Sequence, residues 1–527
     1  MSRGPEVAWD PLVQPLGALV ARQARACRRQ TAMSFVDGAS ITYEDLGDRV
    51  ARMRSVLASR GVVAGGRVAL MLKNSLFFPV AWLGVVSAGA TTVPVNSRLE
   101  ADDAGYVIEH SAAGLVVCDS STAPVVRRVA ERLERVVGVL EVPAGEHAPD
   151  LLGEVEPQDP GPETSRSLAN VQYTSGTTGF PKGCLLTHRY WQRMGAVARE
   201  MLDLGRGSRI LTAQPFSYID PMWNVVATLQ AGAHLVVQDG FHPSTFMSDV
   251  ARWGIQTFYC LGVMPSLLLK QPPGPWDRSH GLRLVACSAI PPGLHRAIEE
   301  RWGVPWIEAF GMTETGINIA VPPAEHDELV GTACIGRPLP HCEASVVDAD
   351  RRDLPPGEVG ELRLRGLGFM EGYLDDPEAT ARFFRNGWAN TGDLVSTDEE
   401  GRIYFRGRLK EFVRRGGENV SQAEVEFALR GHHAVLDCAV APVPDEAMGE
   451  EGKAYVVLLP GWPRDPEDLR AYLAARLAPF KIPRYYEFRQ DLPRTPSERI
   501  AKALLEKGRS SWQAKTYDAR EGRWLDR

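Results

Sequence analysis

The chain runs to 527 residues, 44% hydrophobic and 24% charged, with a formal net charge of −7. That length exceeds what one hydrophobic core usually supports, so at least two domains of a soluble globular protein are expected. The acidic balance argues against nucleic acid as the main partner, because a phosphate backbone demands a basic footprint, but it leaves room for a local nucleotide site. The eight cysteines are scattered without a Cys-x-x-Cys pair and suggest neither a disulfide framework nor a zinc site. The opening MSRGPEVAWDPL lacks a charged-then-apolar leader, and no apolar run reaches spanning length. A cytoplasmic protein with no membrane partner is therefore expected.

In chain order, Arg67 to Leu72 reads as a buried strand, residues 77–88 as an apolar helix and Thr91 to Val95 as a second strand. Short apolar runs at 115–118, 210–213, 235–238 and 284–287 repeat the theme. Such runs between helical segments imply parallel sheets covered on both faces. Glycine and proline punctuation continues to about residue 406, where the charged, glycine-containing stretch Arg406 to Glu411 suits a hinge. Beyond it, strand-like runs at 438–441 and 455–459 and a helix over 465–477 suffice for a small α+β domain. The expected fold is α/β: a large N-terminal domain of mixed and parallel sheets with helices over 1–407, and a small mobile α+β C-terminal domain over 408–510. A polar, loose tail is expected over 511–527.

The stretch from Tyr173 to Gly183, Tyr-Thr-Ser-Gly-Thr-Thr-Gly-Phe-Pro-Lys-Gly, carries the most chemistry. Its glycines, Gly176 among them, let backbone approach a ligand, while Thr174, Ser175, Thr177 and Thr178 offer hydroxyls and Lys182 a positive charge. Those are the requirements of a polyphosphate grip. It is not a Walker A loop, since Gly-Phe-Pro-Lys-Gly stands where that pattern needs Gly-Lys-Ser/Thr. A flexible surface linker would have the same composition, but the apolar flanks at 171–173 and 184–186 favour a built site.

Four further motifs follow in order: Phe310-Gly-Met-Thr-Glu-Thr315; Asn390-Thr-Gly-Asp-Leu394; Gly407-Arg-Leu-Lys-Glu-Phe412 with Gly416-Gly-Glu-Asn419; and Leu492-Pro-Arg-Thr-Pro-Ser-Glu-Arg-Ile-Ala-Lys502. From about Thr42 to Lys502 the chain resembles the adenylate-forming superfamily, and within it the acyl-CoA synthetase branch. The resemblance implies a two-step ligase: carboxylate and MgATP give acyl-adenylate, then coenzyme A displaces AMP. It also implies that the small C-terminal domain swings between the steps. By position, the 174–182 loop would embrace the β- and γ-phosphates, Thr313 would touch the α-phosphate and Glu314 would hold Mg²⁺. A hydroxyl donor and a hard carboxylate suit those tasks, although a Thr-Glu pair also starts ordinary helices. Asp393 would accept from the ribose hydroxyls, with Arg408 beside it, Phe310 against adenine and Lys410 at the hinge. Gly416 and Gly417 would line the pantetheine channel in the second conformation.

Departures from the family pattern matter as much. Phe310 stands for the usual tyrosine, and Tyr218 stands where relatives carry an aromatic-His gate. Cys287-Ser-Ala-Ile-Pro291 replaces a glycine-rich stretch at the acyl pocket. That pocket is expected from segments near 217–223, 260–265, 287–290 and 310–317, including Tyr218, Trp223, Ser288, Ala289 and Gly311. Trp223, Met222 and Phe216 suggest an apolar acyl group, although aromatics of this kind serve as often in cores.

The sharpest departure is Thr495-Pro-Ser-Glu-Arg499, where the resemblance calls for Gly-Lys at 498–499. Arginine keeps the charge but is a broad planar fork in place of a compact ammonium. Losing one such donor costs roughly 10²–10³ in rate. Lys502 is the alternative bearer of that role, although it aligns better with a second basic position. The expectation is an acyl-CoA ligase that retains thioester formation (acyl-AMP and CoA to acyl-CoA and AMP) while adenylation is weak or lost. It would take a small-molecule acid or its adenylate, with a separate adenylating ligase as functional partner. A fully competent ATP-dependent synthetase and, below it, a non-catalytic binder of acyl-adenylates are the alternatives.

Overall fold

The computed structural model describes residues 14–525 apart from 134–136, 146, 148–151, 154, 162, 175–180, 262–263, 410, 416–417, 495–499 and 506–510. Among the described residues the strands form three sheets, of fourteen, seven and six strands.

The six-stranded sheet runs Gly138–Val142, Leu115–Asp119, Arg67–Met71, Thr91–Pro94, Leu168–Thr174 and Lys182–Thr187. Its pairings are parallel except for the last, which is an antiparallel hairpin. The large sheet begins with the antiparallel edge strand Ser40–Thr42 on Thr31–Phe35. A parallel run follows through His234–Val237, Arg209–Thr212, Thr257–Leu261, Val285–Ser288 and Trp306–Met312. It then turns antiparallel from Gly316–Ala320 through Cys334–Pro338 to Ile403–Arg408 and Trp388–Thr397.

Parallel strands need coverage on both faces, and apolar helices supply it. Helix Phe77–Ser87 is buried at every position, as a helix hydrophobic all round must be. Its Trp82 indole donates to Asn170 Oδ1 at 3.0 Å, so the one polar atom of a fully buried ring is satisfied. Helix Tyr43–Ser59 opens with a capping box between Thr42 and Asp45. Helix Ile219–Ala231 stops at Gly232, whose φ of +65° suits the left-handed C-cap.

From Phe412 onward the chain builds the seven-stranded sheet, centred on the pair Val435–Asp445 and Gly449–Leu458, with helices Gln422–Arg430 and Pro466–Ala474 against it. The polar stretch after Ser510 is not loose, as had been expected. Strands Tyr517–Asp518 and Arg523–Trp524 extend this sheet, Asp518 pairs with Arg484 at 2.7 Å and the Trp512 ring packs on Tyr485 at 4.7 Å. The Trp512 carbonyl also accepts from Lys453, whose buried ammonium lies 2.9 Å from Glu487. Among the described residues no helix is long and apolar enough to cross a membrane.

Candidate active site

The phosphate-loop motif lies between two strands that pair antiparallel, with Thr174 opposite Lys182. The two described ends of the loop are thus held side by side by the sheet itself. Ser175, Gly176, Thr177 and Thr178 lie outside the described residues. Tyr106 reinforces the base by donating to the Pro181 carbonyl at 3.1 Å, and the Tyr173 hydroxyl meets His110 Nδ1 at 2.8 Å. The Lys182 ammonium stands 5.1 Å over the Tyr373 ring and 3.9 Å from Asp376.

Thr313 and Glu314 occupy the tight turn between Trp306–Met312 and Gly316–Ala320. That turn requires Gly316, at φ +74°, because a Cβ there would sit 2.1 Å from the Met194 sulfur. Arg193, from the helix that follows the phosphate loop, donates to the carbonyls of Thr315 and Gly368 and so ties this turn to the loop's own helix. Glu314 is nearly buried, its carbonyl accepts from Met370 N–H at 2.8 Å, and its carboxylate accepts from the Tyr373 hydroxyl at 2.8 Å. Burial and the facing Glu314 carboxylate push the Tyr373 hydroxyl well up, so it stays a proton donor. Tyr373 therefore joins Lys182 to Glu314, a role its lone position after Gly372 does not reveal in the sequence. A cavity of about 460 Å³ flanks this cluster, lined by Leu185, Gly372, Tyr373, Asp376, Thr380 and Phe384. It adjoins the lysine side of the cluster without including Asp393 or Glu314 among its walls.

Asp393 and Arg408 lie directly across from each other on neighbouring strands, with Arg408 Nε 2.9 Å from Asp393 Oδ1. The Asp393 side chain is 1% exposed. Gly392, at φ +71°, lies just before it where strand Trp388–Thr397 bulges against Gly360–Gly366, and its carbonyl accepts from Leu409 N–H at 2.8 Å. The chain entering the C-terminal sheet is thus bonded to the bulge that presents Asp393. Lys410, Gly417 and Arg499 lie outside the described residues. Lys502 is engaged within the C-terminal part, 2.9 Å from Glu411 Oε2, 2.9 Å from Gln422 Oε1 and 2.7 Å from Glu426 Oε1. Those acidic partners raise its pKa against the effect of burial.

Around the segments expected to line the acyl pocket, the contacts run through Tyr259 and Ala309, which flank them. The Trp223 ring packs edge-on against Tyr259 at 4.9 Å. The Tyr259 hydroxyl reaches Ser288 Oγ at 2.6 Å, and Ser288 donates to the Ala309 carbonyl, two residues before Gly311. Ala289 sits at φ +64°, a strained setting for a side chain. It is held there by Glu308, whose carboxyl accepts from Ala289 N–H at 2.6 Å and Ile290 N–H at 2.9 Å. Burial pushes the Glu308 carboxyl up to about 8 in spite of both donors. Tyr259 and Glu308 were missed by motif reading because neither belongs to a motif. Tyr218 starts helix Ile219–Ala231 and its hydroxyl accepts from Asn96 at 2.8 Å. Phe216 stacks on Phe78 at 5.1 Å and Met222 receives Asn170 Nδ2 at 3.7 Å. Both residues serve the core, and their bulk says little about the acid. Phe310 is partly buried in the strand leading to Thr313.

Residues 20–374 match the family model described as AMP-binding enzyme, and residues 424–499 match that of the AMP-binding enzyme C-terminal domain. The chain is 33% identical over 487 residues to the fatty acid–[acyl-carrier-protein] ligase ScoC of Streptomyces coeruleorubidus, covering 90% of this chain and 93% of that one. It is 32% identical to a feruloyl-CoA synthase of Amycolatopsis sp., covering 93% and 98%. Among solved structures it resembles the o-succinylbenzoate CoA synthetase MenE of Bacillus subtilis, in complex with its acyl-adenylate intermediate. There the TM-score is 0.84 and the identity 26%, covering 94% of this chain and 99% of that one.

Proposed function

The chain belongs to the AMP-binding enzyme family, in the acyl-CoA ligase branch of the adenylate-forming superfamily, and from that premise we propose which half of the ligase reaction it performs. As an acid–thiol ligase it joins a carboxylic acid to a thiol, and we take the thiol to be coenzyme A. The finer reading is that it carries acyl-AMP and CoA to acyl-CoA and AMP, while forming acyl-AMP from ATP poorly or not at all. The observation that carries this is Glu498-Arg499 where the resemblance calls for Gly-Lys. A guanidinium cannot replace a compact ammonium at a crowded contact without displacing its neighbours, and Glu498 adds a negative charge beside anionic ligands. Lys502, in its cage of Glu411, Gln422 and Glu426, would have to leave three partners to take the role.

In this reading Asp393 receives the ribose hydroxyls of the adenylate, and Arg408 orients its carboxylate from the facing strand. Lys182 and the loop hydroxyls meet the phosphates. Glu314 fits Mg²⁺, because its carboxylate offers hard oxygens on a turn fixed from two sides and the Tyr373 hydroxyl holds only one of them. When bound there, the ion would neutralise phosphate charge. The wall of Trp223, Tyr259, Ser288 and Ala289 suits an apolar or aromatic acyl group, since a charged one would lose its hydration against it. Gly416 and Gly417 admit the pantetheine arm once the C-terminal domain has turned, and a separate adenylating ligase supplies the acyl-AMP.

The second reading, a complete ATP-dependent synthetase, is favoured by the full set of hydroxyls and Lys182 in the phosphate-loop sequence. Two reactions separate them: acid, MgATP and CoA in one, synthetic acyl-AMP and CoA in the other. We expect thioester only from the adenylate, with Arg499→Lys, alone or together with Glu498→Gly, restoring use of ATP. Robust ATP-dependent turnover by the unaltered protein would sink the proposal. Binding of acyl-AMP with no thioester from either mixture would mark a non-catalytic binder.

A further inference from the structure

Away from the hinge, one side chain of the N-terminal part grips the C-terminal sheet. Lys270 follows helix Met264–Leu269, and its ammonium donates to the carbonyls of Val435 at 2.7 Å and Leu436 at 2.8 Å. Those carbonyls lie where the ladder between Val435–Asp445 and Gly449–Leu458 shifts register between Val435 and Asp437. Such an irregularity leaves backbone groups turned out of the ladder, and a buried carbonyl without a donor is costly. Lys270 supplies the donor for two of them at once.

The grip is rigidly presented. Arg301 donates to the carbonyls of Leu269 and Gln271 at 2.7 Å each and Pro272 at 2.9 Å, bracketing Lys270, and is itself fixed 3.1 Å from Asp277. On the receiving side, Asp437 stands next to the gripped carbonyls and pairs with Arg494, the residue directly before the segment that holds Glu498 and Arg499. The charges acting on the ammonium are Asp437, which favours it, and Arg430, which opposes it. Burial lowers the Lys270 pKa to about 8, so the contact carries a desolvation cost that an incidental surface lysine would avoid by pointing into water.

We propose that Lys270 is a positioning residue for adenylation: it latches the C-terminal sheet, at Val435 and Leu436, onto the N-terminal unit, and it must let go before thioester formation. The inference rests on the domain-alternating acyl-CoA ligase reading above, with adenylation assayed where Arg499→Lys restores it. It adds an N-terminal side chain outside the nucleotide site that sets the balance between the two arrangements.

The test uses the full chain bearing Lys270→Met, which keeps the aliphatic length without the donor, and Lys270→Arg, which keeps donors and charge. Each is made in the native and Arg499→Lys backgrounds. Two measurements are made: hydrogen exchange of peptides spanning 405–415, and the two half-reactions separately. Relative to its own parent, Lys270→Met should speed linker exchange at least threefold in both backgrounds and, in the Arg499→Lys background where adenylation is restored, slow pyrophosphate release at least tenfold. Thioester formation from supplied acyl-AMP should stay within twofold, and Lys270→Arg should restore the parental values. Unchanged linker exchange in Lys270→Met overturns the latch, and so does an equal fall of both half-reactions or a failure of Lys270→Arg to rescue. Absence of pyrophosphate release in every background counts against the half-reaction test of Arg499 alone, because the exchange measurement still decides the latch.

Discussion

Replacing Glu308 by Gln should flatten the pH dependence of stability and loosen the backbone at Ala289 and Ile290. The Glu308 carboxyl takes the N–H groups of Ala289 and Ile290 and holds Ala289 at φ +64°. Burial raises its pKa from the ordinary 4.5 to about 8. Between those values the native protein keeps a proton that the unfolded chain releases. The stabilisation is therefore complete below pH 4.5 and is lost as pH rises through about 8. A gap of about 3.5 pH units (8 less 4.5) at ~1.4 kcal/mol per unit sets an upper bound of about 5 kcal/mol. Gln titrates nowhere in this range. It can accept one of the two N–H groups and must turn its amide against the other, a pH-independent cost of about 1–3 kcal/mol. For a large domain this corresponds to about 2–4 °C in Tm per kcal/mol. Thermal melts of both proteins at half-unit steps from about pH 5 to 9 should converge and then cross as pH rises, because the loss at Glu308 falls on the parent alone while every other group titrates alike in both. Parallel curves would refute the assignment of the buried proton to Glu308.

Three further outcomes follow from the packing. Tyr373→Phe removes the hydroxyl that Glu314 accepts at 2.8 Å, and the Mg²⁺ dependence of nucleotide binding, followed by calorimetry, should weaken by about 10–100-fold; an unaltered titration would remove Tyr373 from the site. Gly316→Ala places a Cβ 2.1 Å from the Met194 sulfur and 2.7 Å from Arg193 Nη2 at φ +74°, with an expected loss of about 1–3 kcal/mol in chemical denaturation. Met194→Ala should recover part of it if the clash is the cause. Lys453→Met removes the ammonium 2.9 Å from buried Glu487, which keeps Arg489 at 2.7 Å, so the loss should stay below the roughly 3–5 kcal/mol of a buried pair broken outright. Urea unfolding should show that loss in the transition of the C-terminal sheet, and an unchanged midpoint there would count against the pair.

Much of the frame was legible without coordinates. The strands at 67–71, 91–94, 115–119, 209–212, 234–237 and 285–288 fall within a residue or two of their apolar runs. A short apolar run bounded by turn residues has few other ways to hide its side chains and pair its backbone. The motifs also singled out Thr174, Lys182, Glu314, Asp393 and Arg408, and the fold sets Thr174 opposite Lys182 and Arg408 against Asp393; their roles toward phosphate and ribose belong to the proposed function.

Other features needed the packed chain. Tyr373 bonds to Glu314 across 59 positions, Glu308 holds Ala289 across 19, and Lys270 reaches Val435 across 165. Such pairs depend on strand order and on the facing of turns, which no local pattern encodes, so nothing in the sequence marks those residues. The same holds for the end of the chain: polar composition suggested a tail, but an edge strand of the C-terminal sheet was open to pair with it. Composition and motif spacing, set by local chemistry, determined the class of fold and the family. Which side chains support the site, and what ties the two units together, was decided only when distant strands came into register.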